Sequence, residues 1–336
     1  MNENGICTIL TEDGLCGWWV LCGECVGATC NDFPYTYVYY KGSEYVFPTA
    51  ACESVVELLL SKTDPIQLIS IPQNAVRVQY LCSINEEDFQ KRPLLQCYPE
   101  LIRWGLAILQ DRQFSLDDRF ALLSGAMGLI EKYEKSDLVK DLPEAMDSFL
   151  QWDNLHDILR QYGQYTFDGR ALLAVNTGVL QQISGLPEYY DKAKLVLEGL
   201  GAELEEADDS RDKSCKVKIY DMDKYKQRKE VLSDFMRKKE AFLENIMVCE
   251  FLRGITPLAM PDVWGSFQNF SVCYAMHKGM ILGSFNEAPD DYCLTDAIVL
   301  LHRMHIHNFS ANRNTLQYLK DIQLMDLTSM VALAKG

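Results

Sequence analysis

The segment Ser115-Leu-Asp-Asp-Arg-Phe-Ala-Leu-Leu-Ser-Gly-Ala-Met-Gly-Leu-Ile-Glu-Lys-Tyr133 gives the clearest indication of fold class. Large apolar side chains recur in it every three or four residues, which is the period of one helix face. These side chains are Phe120, Leu123, Met127 and Ile130. Ser115 and Asp118 have the spacing of a helix N-cap pair, so the helix is predicted to begin next to Ser115.

Similar periodicity on both sides of this segment predicts a mainly α fold with an irregular multi-helix body. Further helices are predicted over residues 100–110, 146–162, 171–183, 189–200, 223–253, 264–281 and 295–308, with a short one near the C-terminus. The stretch 203–216 is polar and aperiodic, so we interpret it as an exposed linker. It would divide the body into two helical regions, 55–202 and 217–336.

The first 54 residues differ from the body and are predicted to form a small cysteine-rich N-terminal head. Six of the twelve cysteines lie there, namely Cys7, Cys16, Cys22, Cys25, Cys30 and Cys52. Residues 35–47 are rich in tyrosine and valine and are interrupted by Lys41-Gly42-Ser43. This pattern predicts a β-hairpin within the head.

Clustered cysteines without a secretion signal indicate metal binding more often than disulfides, because cytosolic thiols stay reduced. Thiolates are the ligands that zinc and iron–sulfur clusters select. Only Cys22-Gly-Glu-Cys25 has the two-residue gap of a metal knuckle. The other interpretation is that these cysteines are small buried residues of a reduced protein.

The charge of the chain bears on its partners and its location. It carries 48 acidic and 32 basic residues, a formal charge of -16, so its surface should repel nucleic acid and can attract a lysine-bearing protein. The start lacks a basic run followed by an apolar region, and no later segment has about 18 consecutive apolar residues. We therefore expect a cytoplasmic protein with no membrane partner.

The order of motifs along the chain is informative. A cysteine frame runs through Cys7-Thr-Ile-Leu, Asp-Gly-Leu-Cys16, Thr-Cys30-Asn-Asp-Phe-Pro and Ala-Cys52-Glu-Ser. It is followed by Leu59-Leu-Ser-Lys-Thr-Asp-Pro65, by the segment around Ser115, and by segments at 242–253, in the apolar helix after Trp264, and at 294–308. Together these segments resemble one bacterial family, the flagellin lysine-N-methylases, and the resemblance covers most of the chain.

The resemblance implies transfer of a methyl group from S-adenosylmethionine to lysines of flagellin, in the cytoplasm. It also implies an iron–sulfur cluster, with Cys7, Cys16, Cys30 and Cys52 as its ligands. Zinc, or no metal, are the alternatives. The resemblance does not indicate catalytic residues or a methyl-donor site. Gly199-Leu-Gly201 follows a predicted helix instead of opening one, so we interpret it as a helix end.

One feature departs from the family. The family's cysteine frame opens with a further cysteine group, including a Cys-Cys pair before a Gly-Trp, upstream of the position of Cys7. Met1 lies too close to Cys7 to leave room for that group, so we expect an N-terminally shortened member. Either Cys22 and Cys25 are additional ligands, or the chain is a non-catalytic metal-binding or interaction protein on the same scaffold.

Overall fold

A computed structural model of the chain describes residues 20–21, 33–70, 82–136, 138–165, 167–184, 189–205, 215–254, 262–285, 290–303, 314 and 317–336. The helices are α1 Glu53–Leu60, α2 Asp88–Lys91, α3 Tyr98–Leu109, α4 Leu116–Glu134, α5 Leu142–Phe149, α6 Trp152–Tyr162, α7 Arg170–Ser184, α8 Tyr190–Gly199, α9 Met222–Lys238, α10 Glu240–Gly254, α11 Val263–Ser284, α12 Asp291–Leu301 and α13 Leu327–Lys335. The strands are β1 Tyr35–Tyr40, β2 Ser43–Pro48, β3 Cys82–Ile84, β4 Ala202–Leu204 and β5 Val217–Tyr220. The fold is mainly α with a small N-terminal hairpin, as the sequence predicts.

The hairpin of β1 and β2 confirms the strand prediction for the head. The two strands pair antiparallel with Tyr40 opposite Ser43, so Lys41 and Gly42 form a two-residue turn. Val38 and Phe47 are at most 1% exposed and anchor the hairpin to the core. A third strand, β3, pairs with β1 in parallel. The sequence does not predict this strand, because residues 82–84 are too few to show an alternating pattern.

Helix α4 begins where the sequence predicts. The Ser115 hydroxyl accepts a hydrogen bond from the Asp118 backbone N–H at 3.2 Å, as an N-cap residue should. The four apolar side chains that predict the helix face are all buried, at most 1% exposed. The face that the sequence pattern indicates is therefore the one that packs into the core.

Helix α11 is the centre of the fold. It is buried along almost its whole length, as expected of a helix that is apolar all round. Helices α4, α7 and α8 pack on it, and so do α10, α12 and α13. Helices from both sides of residues 203–216 thus contact one central helix, and the division into two helical regions stays a prediction.

Two long predicted helices are each interrupted. The one over 146–162 breaks into α5 and α6, where the side chains of Gln151 and Asn154 donate to the last carbonyl groups of α5 at 3.0 and 2.6 Å. The one over 223–253 breaks at Lys239 into α9 and α10. Only two residues of α9 are buried, whereas most of α10 is, and a straight helix could not follow the surface and then enter the core.

The exposed linker over 203–216 stays a prediction, and the structure adds order at both ends of that segment. Glu203 and Leu204 belong to β4, which pairs antiparallel with β5. Cys215 is 2% exposed, and its backbone N–H donates to the Ser184 hydroxyl at 2.7 Å. Pairing of the flanking strands satisfies backbone groups that a polar sequence alone would leave to water. Residues 206–214 lie outside the described part of the chain.

A buried ion network joins α4 to α10. Glu244 is fully buried and accepts from Arg119, which is 1% exposed, at 2.5 Å. It also accepts from Arg112 Nε and Nη2 at 2.8–3.2 Å. The second terminal nitrogen of Arg119 donates to Glu240. Buried charges need partners of this kind, because an isolated ion is costly to remove from water.

Residues 61–70 cross the helices without regular secondary structure and are held by side chains of the body. Asn245 donates to the Asp64 carbonyl at 3.1 Å and accepts from the Ile66 N–H at 3.3 Å. Gln110 donates to the Ile66 carbonyl at 2.8 Å, and Arg112 donates to the Thr63 carbonyl at 2.7 Å. We call residues 61–70 the strap. Among the helices described, none is long and apolar enough to cross a membrane.

Candidate functional site

The predicted metal ligands fall mostly outside the described residues. Cys7, Cys16, Cys22, Cys25 and Cys30 lie there, and their role stays a prediction. Cys52 is the N-cap residue of α1 and is half-buried as a free thiol. Within the described ranges, no three potential ligands among His, Cys, Asp and Glu converge on one point.

A cleft opens between residues 165–171 and the N-terminal half of α13. Its volume is about 350 Å³. It is lined by Tyr165, Phe167, Asp168, Gly169, Ala171, Leu324, Asp326, Thr328, Ser329 and Ala332. The lining therefore combines two aromatic residues, two carboxylates and the aliphatic hydroxyl groups of Thr328 and Ser329 with small and apolar residues, as in many small-molecule sites.

Both aromatic groups and one of the two carboxylates come from the loop that leads into α7, and the other carboxylate, Asp326, precedes α13. Tyr165 is 60% exposed, and its ring centroid lies 6.4 Å from that of Phe167. Arg170 donates to Asp168 through its Nε at 2.6 Å and through its backbone N–H at 3.2 Å. Partial burial raises the pKa of Asp168, but these bonds outweigh it and the pKa is lowered. Asp168 therefore stays charged beside the rings.

Gly169 forms the floor of the cleft and must be glycine. Its φ is +86°, and a Cβ on it would lie 2.4 Å from Cε1 of Tyr225. Tyr225 is 1% exposed, and its hydroxyl has no hydrogen-bond partner in the described part of the chain. Burial, with the charges of Asp117 and Asp168, raises the pKa of Tyr225 to about 12. A neutral phenol thus lies directly behind the cleft.

Asp117 links three helices on the same side of the core. It accepts from the Tyr274 hydroxyl at 2.6 Å and from Lys278 Nζ at 3.0 and 3.1 Å. Lys278 is 5% exposed and also donates to the Ala334 carbonyl of α13 at 2.7 Å. Burial, followed by the charge of Asp117, raises the pKa of Tyr274 well above its usual value. This network fixes α13, one wall of the cleft, against α4 and α11.

A second polar cluster lies where α10, α11 and the end of α12 meet, and it is closed to solvent. His277 and His302 are fully buried, with their Nε2 atoms 3.1 Å apart. Glu250 Oε1 lies 3.4 Å from His302 Nδ1, and Arg253 donates to Glu250 Oε2 at 2.6 and 3.0 Å. Burial raises the pKa of Glu250, but Arg253 and His302 outweigh it and hold the pKa at about 2.

The sequence alone assigns neither group of residues to a site. Tyr165 and Asp168 belong to no periodic pattern, and their only signal is the Phe-Asp-Gly turn before a helix. His277 lies in an apolar stripe with Tyr274 and Met276, which the sequence indicates as core, and its buried partner is 25 residues away. Gly201 has φ +92° just after α8, which confirms the helix-end interpretation of that glycine pair.

Comparison with known proteins gives one match, and it covers most of the helical body. The model of the FliB lysine N-methylase C-terminal domain matches residues 105–333. No curated protein and no solved structure matches the chain. Every residue that lines the cleft, and both buried histidines, fall inside the matched range. The match spans more than half of the sequence, and the chain therefore belongs to the FliB lysine N-methylase family.

Proposed function

We propose that this protein transfers methyl groups from S-adenosylmethionine to lysine side chains of flagellin, or of another lysine-bearing protein, in the cytoplasm. Membership of a lysine N-methylase family is the observation that supports this function. The formal charge of -16 favours a partner that presents lysines. We further propose that the cleft beside α13 is where the methyl donor binds.

The size and chemistry of the cleft support this proposal. Ligand sites of drug-sized molecules have volumes of about 300–1,000 Å³, and the cleft holds about 350 Å³. The rings of Tyr165 and Phe167 suit an adenine base, and the hydroxyls of Thr328 and Ser329 suit its polar substituents. When bound, S-adenosylmethionine would supply a methyl group on a positively charged sulfur: an uncharged lysine amine would bond to the methyl carbon as the carbon–sulfur bond breaks, which leaves a neutral thioether, and the methylated ammonium would then release a proton to water.

The residues of the cleft would perform two tasks. Asp168, held in place by Arg170, would attract cationic groups to the cleft, because its lowered pKa keeps it charged. The rings of Tyr165 and Phe167 would hold the adenine base of the donor and shield it from water. Tyr225 is unsuited to act as a base, because its raised pKa keeps the phenol protonated.

The cysteine-rich head is proposed to bind an iron–sulfur cluster or zinc through Cys7, Cys16, Cys30 and Cys52. The half-buried position of Cys52 at the start of α1 leaves its thiol available as a ligand. Metal and sulfide analysis of protein purified without oxygen, comparing wild type with Cys30→Ser, tests this. Iron with sulfide that is lost in the variant supports a cluster, and zinc supports a structural site. If the protein contains neither iron nor zinc, the proposal is contradicted.

The methyl-transfer proposal is tested by incubating purified protein with flagellin and radiolabelled S-adenosylmethionine. We expect label on flagellin lysines. Donor binding by calorimetry should weaken about tenfold in Phe167→Ala, since stacking of a base on a ring contributes about 1–3 kcal/mol. Tyr292→Ala is the matched control, because Tyr292 is an aromatic residue 81% exposed outside the cleft.

The outcomes separate the two parts of the proposal. Labelled flagellin with unchanged donor binding in Phe167→Ala would place the donor elsewhere than in the cleft. No donor binding and no label, with wild-type protein carrying its metal, would support the non-catalytic alternative.

A further inference from the structure

The buried histidine pair has a proton arrangement that its contacts determine. His277 Nδ1 lies 2.7 Å from the carbonyl oxygen of Cys273, which can only accept. His277 therefore carries its proton on Nδ1, and its Nε2 presents a lone pair. His302 Nε2, at 3.1 Å, must then donate the proton of this contact. A single proton, carried by His302 Nε2, therefore forms the hydrogen bond between the two histidines.

A second proton at this contact would be strongly unfavourable. Protonation of His277 Nε2 would set two N–H groups head-on at 3.1 Å, within full burial. Among the residues that the structure describes, the ionisable groups around the pair include Glu250 and Arg253 of α10 and Cys273 of α11. Burial lowers the pKa of His277, while its backbone bond and Glu250 act in the opposite direction. The folded protein thus favours neutral His277.

The contact lies where the end of α12 meets the head. The residue after His302 is Arg303, whose Nε donates to the Ala51 carbonyl at 3.3 Å. Its Nη2 is 3.4 Å from the Glu53 carboxylate. Helix α12 also packs against α1, which begins next to Cys52. The position of His302 therefore determines how the end of α12 supports the segment that bears Cys52.

We propose that the His277–His302 contact is a proton-controlled latch that fastens the end of α12, and with it the Ala51–Glu53 segment of the head, to the central helix α11. At neutral pH the single shared proton closes the latch. In acid, His277 takes up a second proton and the end of α12 separates from α11. This inference is independent of the proposed methyl transfer.

The direction of the pH response follows from linkage. A histidine whose pKa is lowered in the closed state binds its proton more tightly when the contact is open. The latch is therefore fully stabilised above the ordinary pKa of 6.5 and loses stability as the pH falls below that value. Each pKa unit of lowering corresponds to about a tenfold change in the opening equilibrium.

Hydrogen exchange of the full-length protein, read by mass spectrometry at about pH 7.5 and about pH 5.5 and corrected for intrinsic rates, tests the latch. We expect peptides from 291–303 and 49–60 to open about tenfold more at the lower pH in wild type. In His302→Gln this response should disappear, because a glutamine amide can donate to neutral His277 or accept from its protonated form. His156→Gln, which alters a histidine outside the pair, should respond as wild type does.

The proposal would be overturned if residues 291–303 of wild type exchange equally at both pH values. It would also be overturned if His302→Gln responds to acid as strongly as wild type does. If His302→Gln does not fold, NMR spectra of wild type with isotope-labelled histidine replace it. One histidine should then show the Nδ1–H form and stay neutral to a lower pH than the others. Ordinary titration of all five histidines would exclude the latch.

Discussion

Replacing Glu244 by glutamine would remove the charge that neutralises two arginines at the junction of α4 and α10. Glu244 is fully buried and accepts from Arg119 and Arg112. Glutamine keeps the size of the side chain but carries no charge. Arg119 would keep its hydrogen bond to the Leu109 carbonyl and its ion pair with Glu240, whose side chain is 33% exposed and partly solvated.

The expected loss follows from this geometry. Removing one partner of a buried ion pair costs about 3–5 kcal/mol, because a charge is left in a medium that solvates it poorly. Since Glu240 still pairs with Arg119, we expect the lower end of this range, about 3 kcal/mol. That energy corresponds to about a hundredfold change in the ratio of folded to unfolded protein.

Urea unfolding followed by circular dichroism and tryptophan fluorescence measures this loss. With a denaturant slope of about 3 kcal/mol/M, the midpoint of Glu244→Gln should fall by about 1 M. The matched control is Glu131→Gln, whose partner Lys135 is 65% exposed and whose ion pair should contribute less than about 1 kcal/mol. Equal midpoints for the two variants would refute the reasoning.

Two further changes test the electrostatics and the cleft. Because the pKa of Glu250 is about 2 in the folded protein against 4.5 normally, wild type should lose stability as the pH falls from 4.5 towards 2. Glu250→Gln should be less stable near neutral pH and show a flatter acid limb in denaturation midpoints measured across this range. Gly169→Ala should destabilise by about 1–3 kcal/mol, because its Cβ would overlap Tyr225 at a strained φ. Gly254→Ala is the control, because its Cβ would have open space, and thermal unfolding should show no loss for it. Equal melting temperatures for Gly169→Ala and Gly254→Ala would contradict the role of Tyr225.

The sequence predicts the helices well where one apolar face packs into the core, as in α4. It fails where tertiary packing decides the path of the chain. The residues around Lys239 are good helix formers, so nothing local indicates that α9 ends there. The turn occurs because α10 enters the core, and that depends on distant helices.

The same limit applies to the candidate site. The cleft combines the loop before α7 with α13, which are about half the chain apart, and only packing brings them together. The spacing of Glu250 and Arg253 predicts a helical ion pair, but not its burial against His302. The clustering of cysteines that predicts a metal-binding head is visible in the sequence alone, and the role of those cysteines as ligands stays a prediction.

The strap is bound through its backbone, and this has a consequence for which of its residues can change. The hydrogen bonds that Asn245, Gln110 and Arg112 make to the strap go to main-chain atoms of Thr63, Asp64 and Ile66, and every amino acid except proline offers the same N–H and C=O groups. Exposed strap positions such as Lys62 and Thr63 can therefore accept a fluorescent label or a short tag without loosening the segment. The three side chains that hold the strap lack this freedom, so substitutions that matter for the path of the strap should be found on the helices beneath it.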